Sequence, residues 1–179
     1  GAATIGDPMS VDTHVGPVTT PPQYQKILDY IAIGKAEGAQ CVLGGGAYSG
    51  AGAKGQQFVQ PTIFTGVSND MQIAQEEVFG PVLSTVRVSD YQEALDLIHA
   101  NPYGNGTAIF TRDGDAARDF VSRIEVGMVG VNVPIPVPVA FHSFGGWKQS
   151  LFGDHHIYGP ETIHFYTRMK AVTSRWPTG

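Results

Sequence analysis

Cysteine is nearly missing from this chain: Cys41 is the only one in 179 residues. An internal disulfide is therefore excluded, and a lone thiol fits a reducing compartment, so a cytoplasmic location is expected. Charge is sparse as well, at 15% of residues, and the 11 lysines and arginines are scattered along the chain. A nucleic-acid footprint needs a basic stripe, and the scatter excludes one. No apolar run approaches the ~20 residues of a membrane span. The first residues carry no signal-peptide pattern and no initiating methionine, as expected of a processed, truncated or expression-derived start. What is present is an extensive apolar fraction, 42%, with a net charge of −5. That is globular material, sized for one domain that buries about two-thirds of the surface its unfolded form exposes.

Helix and strand signals alternate. Thr20 stands as an N-cap before Pro21 and Pro22, and Tyr24, Ile27, Leu28 and Ile31 follow on one face, with Gly38 placed to close the helix. Extended segments follow at 41–46 and 56–67, where Pro61 predicts an edge or a bulge. Another runs from Pro81 to Val88. Asp90 with Glu93 predicts a capped helix burying Ala94, Leu95, Leu97 and Ile98. A strand over 106–111, a helix opened by Asp113 and Asp115 and closed by Gly127, and a strand over 128–133 come next. This alternation predicts an α/β fold: an open, mainly parallel sheet flanked by helices. In such sheets ligands gather at loops leaving the carboxyl ends of strands. The segment before Pro81 and the ribbon after Val133 are the loops so placed. In that ribbon Pro134, Pro136 and Pro138 alternate with aliphatic residues. Proline donates no ladder hydrogen bond, so the ribbon reads as a stiff extended loop.

Several motifs carry chemistry. Gly50-Ala-Gly52-Ala-Lys-Gly55 spells a dinucleotide fingerprint, but an extended segment follows where a helix is required, so it reads as a flexible hairpin-like loop. Cys41 has no histidine near it in sequence and reads as a small buried hydrophobe. Asp154, His155, His156 and His142 lack metal-ligand spacing and read as a polar surface loop. The run Gln75 to Val82 says more. One of its two carboxylates, Glu76 or Glu77, facing a strand-end crevice would hold a ribose diol, with Phe79 offering a flat face to a ring. A solvated turn with a core phenylalanine is the equal alternative.

Taken in order, Glu76–Val82, Asn101–Thr111, Val129–Gly146 and Phe165–Trp176 resemble the NAD-dependent aldehyde dehydrogenase superfamily, over about residues 6–176. The Asn132–Pro138 run and the terminal segment resemble its CoA-acylating, methylmalonate-semialdehyde branch. The resemblance implies a cysteine thiolate attacking an aldehyde, hydride passing to NAD, and the acyl group passing to CoA or water. By position, Glu77 resembles the carboxylate that binds the nicotinamide ribose and Phe79 the aromatic beside the nicotinamide. Asn132 resembles the asparagine ending the strand below the chemistry, and Phe144 an aromatic lining the aldehyde tunnel. Ser143 departs from the proline that many members carry there.

The resemblance also implies that the nucleophilic cysteine and the NAD-binding domain lie upstream. Residues 1–166 then correspond to the C-terminal portion of a catalytic domain, and 167–179 to a strand that builds a homodimer or homotetramer by joining a partner subunit. No turnover is expected of the isolated chain. A hydrolytic aldehyde dehydrogenase of broader specificity and a non-catalytic association module are the alternative readings.

Overall fold

The computed structural model describes residues 3–53 and 57–179. Lys54 and Gly55, the end of the glycine fingerprint, lie outside the described residues. Although the length suits one domain, the contacts divide into two compact units, Gly1–Ser89 and Asp90–Gly179.

In the first unit, α1 spans Pro21–Ala36. The Thr20 hydroxyl accepts from the Gln23 amide at 3.4 Å, and the two prolines occupy the positions that need no donor. Gly38 closes the helix as expected, at φ +94°. Its amide donates to the Lys35 carbonyl and that of Ala39 to the Gly34 carbonyl, the paired bonds of a Schellman motif. Ile27 and Ile31 are buried with Val59, Phe64, Val67, Ile73 and Val78 in a single core cluster. Three strands, β1 (Gln40–Leu43), β2 (Thr62–Val67) and β3 (Val82–Val86), form one sheet in that order. β1 runs antiparallel to β2, and β2 parallel to β3. Between β2 and β3 lies α2, Gln72–Gln75. It has no cap of its own; the Glu37 carboxylate accepts from the Gln72 amide at 2.9 and 3.1 Å.

β2 is therefore central, contrary to the edge that Pro61 suggested. The proline stands one residue ahead of the strand, where its missing donor costs the ladder nothing. The register is irregular on both sides of β2: against β1 it shifts between Cys41 and Leu43, and against β3 it shifts within β2 itself, between Phe64 and Val67.

In the second unit, α3 (Tyr91–Ala100) is capped by Asp90, whose carboxylate accepts from the Glu93 amide at 2.9 Å. β4 (Tyr103–Gly104) and β5 (Gly106–Ile109) follow, then α4 (Gly114–Arg123) and β6 (Met128–Val131). β5 and β6 pair in parallel across α4, which is the crossover the alternation implied. Leu95, Phe120, Ile124 and Val126 form this unit's core. β7 (Trp147–Lys148) pairs antiparallel with β4, and a 3₁₀ turn, Gly159–Glu161, leads into α5, Thr162–Tyr166.

Three expectations are corrected. The single open sheet is divided, among the described residues, into one three-stranded and two two-stranded sheets, parallel only in β2–β3 and β5–β6. Gly127 does not close α4, which ends at Arg123 as Ile124 turns extended. Gly127 is required by close approach, since a Cβ there would overlap the Gly145 carbonyl oxygen. Residues 167–179 carry no strand and are exposed throughout, because a lone segment becomes a strand only beside a ladder partner.

Two glycine substitutions separate backbone strain from overlap. Gly38→Ala meets nothing within 4 Å but keeps a positive φ, so it should cost about 1 kcal/mol. Gly127→Ala must displace a backbone carbonyl and should cost more than about 2 kcal/mol. Urea midpoints of the two variants check this; equal losses would contradict the assignment of Gly127.

Candidate functional sites

The first unit holds a cleft of about 730 Å³ lined by Ile73, Glu76, Glu77, Phe79, Ser84 and Val86. Residues 76–80 form its wall and have no ladder of their own; one face of α1 supplies partners between Glu76 and Phe79. Gln23 Nε2 donates to the carbonyls of Val78 and Phe79, both at 3.0 Å. Lys26 Nζ donates to the Glu77 carbonyl at 2.9 Å and stands 5.3 Å from the Tyr30 ring centre. The Tyr30 hydroxyl donates to the Glu76 carboxylate, which also accepts from Gln72 Nε2 at 3.3 Å. Positions 23, 26 and 30 share one flank of the helix by its period.

The anchoring holds an unusual backbone. Phe79 sits at φ +53°, a left-handed conformation that costs an aromatic residue roughly 1–2 kcal/mol. The residue is 73% exposed, so it is the core phenylalanine of neither cluster. Gly80 lets the turn approach α1, since a Cβ there would stand 2.6 Å from Ile27 Cδ1. The two adjacent carboxylates are thereby distinguished. Glu76 is bound to the helix side, while the Glu77 carboxylate has no hydrogen-bond partner among the described residues. The Tyr30 hydrogen bond, helped by Gln72, holds the Glu76 carboxyl below its ordinary range, and the same bond pushes the Tyr30 hydroxyl up.

Glu77 and Phe79, singled out from the sequence, both line this cleft, whereas Gln23, Lys26 and Tyr30 were not singled out. Their only signal was a set of hydrogen-bonding side chains at helical spacing beside the buried stripe, which reads equally well as a solvated face.

The second unit holds a cavity of about 480 Å³ lined by Met128, Val137, Phe144, His156, Tyr158 and Phe165 among others. Phe144 stacks on Tyr158 with ring centres 4.5 Å apart and planes within 6°. Ser143 secures the stack: its hydroxyl donates to the Tyr158 carbonyl at 3.1 Å and accepts from the Glu161 amide at 3.4 Å. The proline ribbon brings Val137 to this wall.

Asn132 does not line the cavity. At φ +57° its amide oxygen accepts from the Thr111 amide at 2.9 Å and its nitrogen donates to the Thr111 carbonyl at 3.0 Å, continuing the β5–β6 ladder by one step. The histidines do not behave as one surface loop. His156 is half-buried in the cavity wall, whereas His155 pairs with Glu161 at 3.3 Å and stacks near His164. No metal-binding cluster occurs among the described residues. Cys41 is half-buried beside the first core, its thiol 3.4 Å from the Leu43 carbonyl.

The aldehyde dehydrogenase family model matches residues 2–172. The malonate-semialdehyde dehydrogenase of Pseudomonas aeruginosa is 54% identical over 98% of this chain and 35% of its own length. A Drosophila pseudoobscura protein, provisionally designated an acylating methylmalonate-semialdehyde/malonate-semialdehyde dehydrogenase of mitochondria, is 49% identical over 92% of this chain and 32% of its own length. Among solved structures, a candidate methylmalonate-semialdehyde dehydrogenase from Sinorhizobium meliloti, complexed with NAD, superposes with a TM-score of 0.92 at 50% identity. That match covers 99% of this chain and 36% of the other. The chain thus spans about a third of the length of the relatives it matches.

The Tyr30–Glu76 bond makes stability depend on pH from both sides. Because the Glu76 carboxyl is lowered on folding, its contribution is present above the ordinary carboxylate range and lost as pH falls through the lowered value. Because the Tyr30 hydroxyl is raised, its contribution is present below the ordinary phenol range and lost as pH rises through the raised value. Tyr30→Phe should therefore destabilise the chain most at neutral pH, with the gap to wild type narrowing in acid and in strong alkali. Urea midpoints across pH check this, and a pH-independent gap would contradict it.

Proposed function

The chain belongs to the aldehyde dehydrogenase family, and on that premise we propose that it is the C-terminal portion of the catalytic domain of an NAD-dependent, CoA-acylating semialdehyde dehydrogenase. The observation that carries the reading is the free Glu77 carboxylate beside the exposed ring of Phe79 on one cleft. An unpartnered carboxylate has two oxygens to accept from the paired hydroxyls of a ribose, and a left-handed, outward phenylalanine presents a face to a planar ring. The residues fit a nicotinamide nucleotide. When bound, NAD supplies the hydride acceptor; Glu77 holds and orients its ribose, and Phe79 limits where the ring can lie.

On the substrate side, Phe144 stacked on Tyr158 gives a rigid aromatic wall. Asn132 ends β6 with its amide spent on Thr111, and so sets where the ribbon departs. The substrate class is a short semialdehyde of the malonate and methylmalonate kind, in keeping with the relatives' names. The nucleophilic cysteine belongs to the part of the parent outside this chain, and CoA takes the acyl group. Cys41, half-buried beside the core, is not that nucleophile. Residues 167–179 form the association arm: Met169, Val172 and Trp176 are 96%, 78% and 86% exposed. An exposed segment of that kind, outside any ladder of its own, adds readily to another subunit's sheet.

The isolated chain, given NAD, CoA and malonate or methylmalonate semialdehyde, should produce no NADH, whereas the full-length parent should produce NADH together with an acyl-CoA. NADH from the chain alone would refute the division of labour, and free acid as the sole product would refute acylation. The parent's reading frame should carry its cysteine motif upstream of Gly6; a motif downstream would reverse the placement. Deleting residues 167–179 from the full-length enzyme should lower its oligomeric mass in light scattering, and an unchanged mass would remove the arm from the interface.

A further inference from the structure

Glu76 and Glu77 both line the cleft, and adjacent like charges have no intrinsic reason to divide their roles. The division comes from α1. Tyr30 donates its single hydroxyl proton to Glu76, and Gln72 adds a second bond to the same carboxylate. Glu76 is extended, at φ −118° and ψ 142°, so the side chain that follows it is directed to the opposite side. Lys26 meanwhile takes the Glu77 carbonyl and leaves its carboxylate free.

We propose that Tyr30 is a positioning residue for the cofactor cleft: by committing Glu76 to the helix, it leaves Glu77 as the carboxylate that meets the cofactor's ribose hydroxyls. The inference rests on the reading of Glu77 above. Without the hydroxyl, segment 76–79 loses the first of its anchors, and the backbone that sets Glu77 on the cleft wall is less firmly held. The cofactor would still reach the cleft, but a smaller share of the enzyme would present the binding arrangement. Binding of NAD suffers, while the step that follows binding does not.

The test uses the full-length parent enzyme. Tyr30→Phe should raise the KM for NAD about three- to tenfold, as expected on losing one hydrogen bond to a charged group at a half-exposed site. Both kcat at saturating NAD and the KM for aldehyde should stay within about twofold. Glu76→Gln keeps an acceptor for the tyrosine and should resemble wild type. Glu76→Leu does not, and should resemble Tyr30→Phe, and the double variant Tyr30→Phe/Glu76→Leu should be no worse than either single one. A merely structural tyrosine would lower the unfolding midpoint and leave the NAD KM in place, which would overturn the proposal. If Tyr30→Phe does not fold, the contrast between Glu76→Leu and Glu76→Gln makes the same discrimination. Glu77→Ala separates the two claims. An unchanged NAD KM there defeats the reading of Glu77 and the proposal with it, whereas a raised KM in Glu77→Ala but not in Tyr30→Phe defeats the role of Tyr30 alone.

Discussion

Residues 76–80 leave α2 before β3 begins and have no ladder in which to place their backbone polar groups. The carbonyls of Glu77, Val78 and Phe79 take their partners from α1. A helix offers side chains from one flank at every third or fourth position, and Gln23, Lys26 and Tyr30 occupy such positions. Each reaches a different residue of the segment, so the loop is held at several points rather than one. This is what allows Phe79 to keep a left-handed backbone and an outward ring, an arrangement that isolated peptide physics disfavours.

The clamp is only as fixed as the helix that carries it. α1 is started by Thr20 and two prolines, stopped by Gly38, and pressed into the core by Ile27 and Ile31. Ile27 also meets the loop, where a Cβ at position 80 would press on its side chain. Burial and loop anchoring therefore share one helix: its apolar stripe sets the depth of α1, and the neighbouring polar flank sets the path of the loop. A change of depth at Ile27 would move Gln23, Lys26 and Tyr30 together.

Much of this was legible from local chemistry. Thr20 and Asp90, expected as caps, are caps, and of the pair Asp113 and Asp115 expected to open α4 it is Asp113 that caps it, because a cap depends on residues a few positions away. Gly38 was legible for the same reason. Gly127 was misread because its constraint comes from Gly145, which is distant in sequence. The centrality of β2, the short helix α2 and the splitting of the sheet all depend on long-range pairing, which periodicity does not encode. At the site, the motif displayed Glu76, Glu77 and Phe79 but not the difference between the two carboxylates. That difference resides in Tyr30, whose aromatic character suggests packing while its hydroxyl does the sorting. Asn132 was read as a strand end near the chemistry, and its left-handed backbone and double bond to Thr111 could not be read from its letter.

The second unit solves a related problem by another route. A parallel pair of strands must stop pairing without leaving polar groups bare, and after Val131 the next residues are rich in proline. Asn132 completes the last step of the ladder with its side chain, imitating a peptide group with an amide of the same geometry. Its positive φ then turns the chain out of the sheet. The prolines that follow donate no hydrogen bonds, so the ribbon can cross the end of the strands, reach the cavity at Val137 and arrive at the Phe144–Tyr158 stack without needing a partner strand. In the first unit a loop takes its partners from a helix, and in the second a loop is built to need few. Both place an aromatic residue on the wall of a cavity, Phe79 in the first and Phe144 in the second.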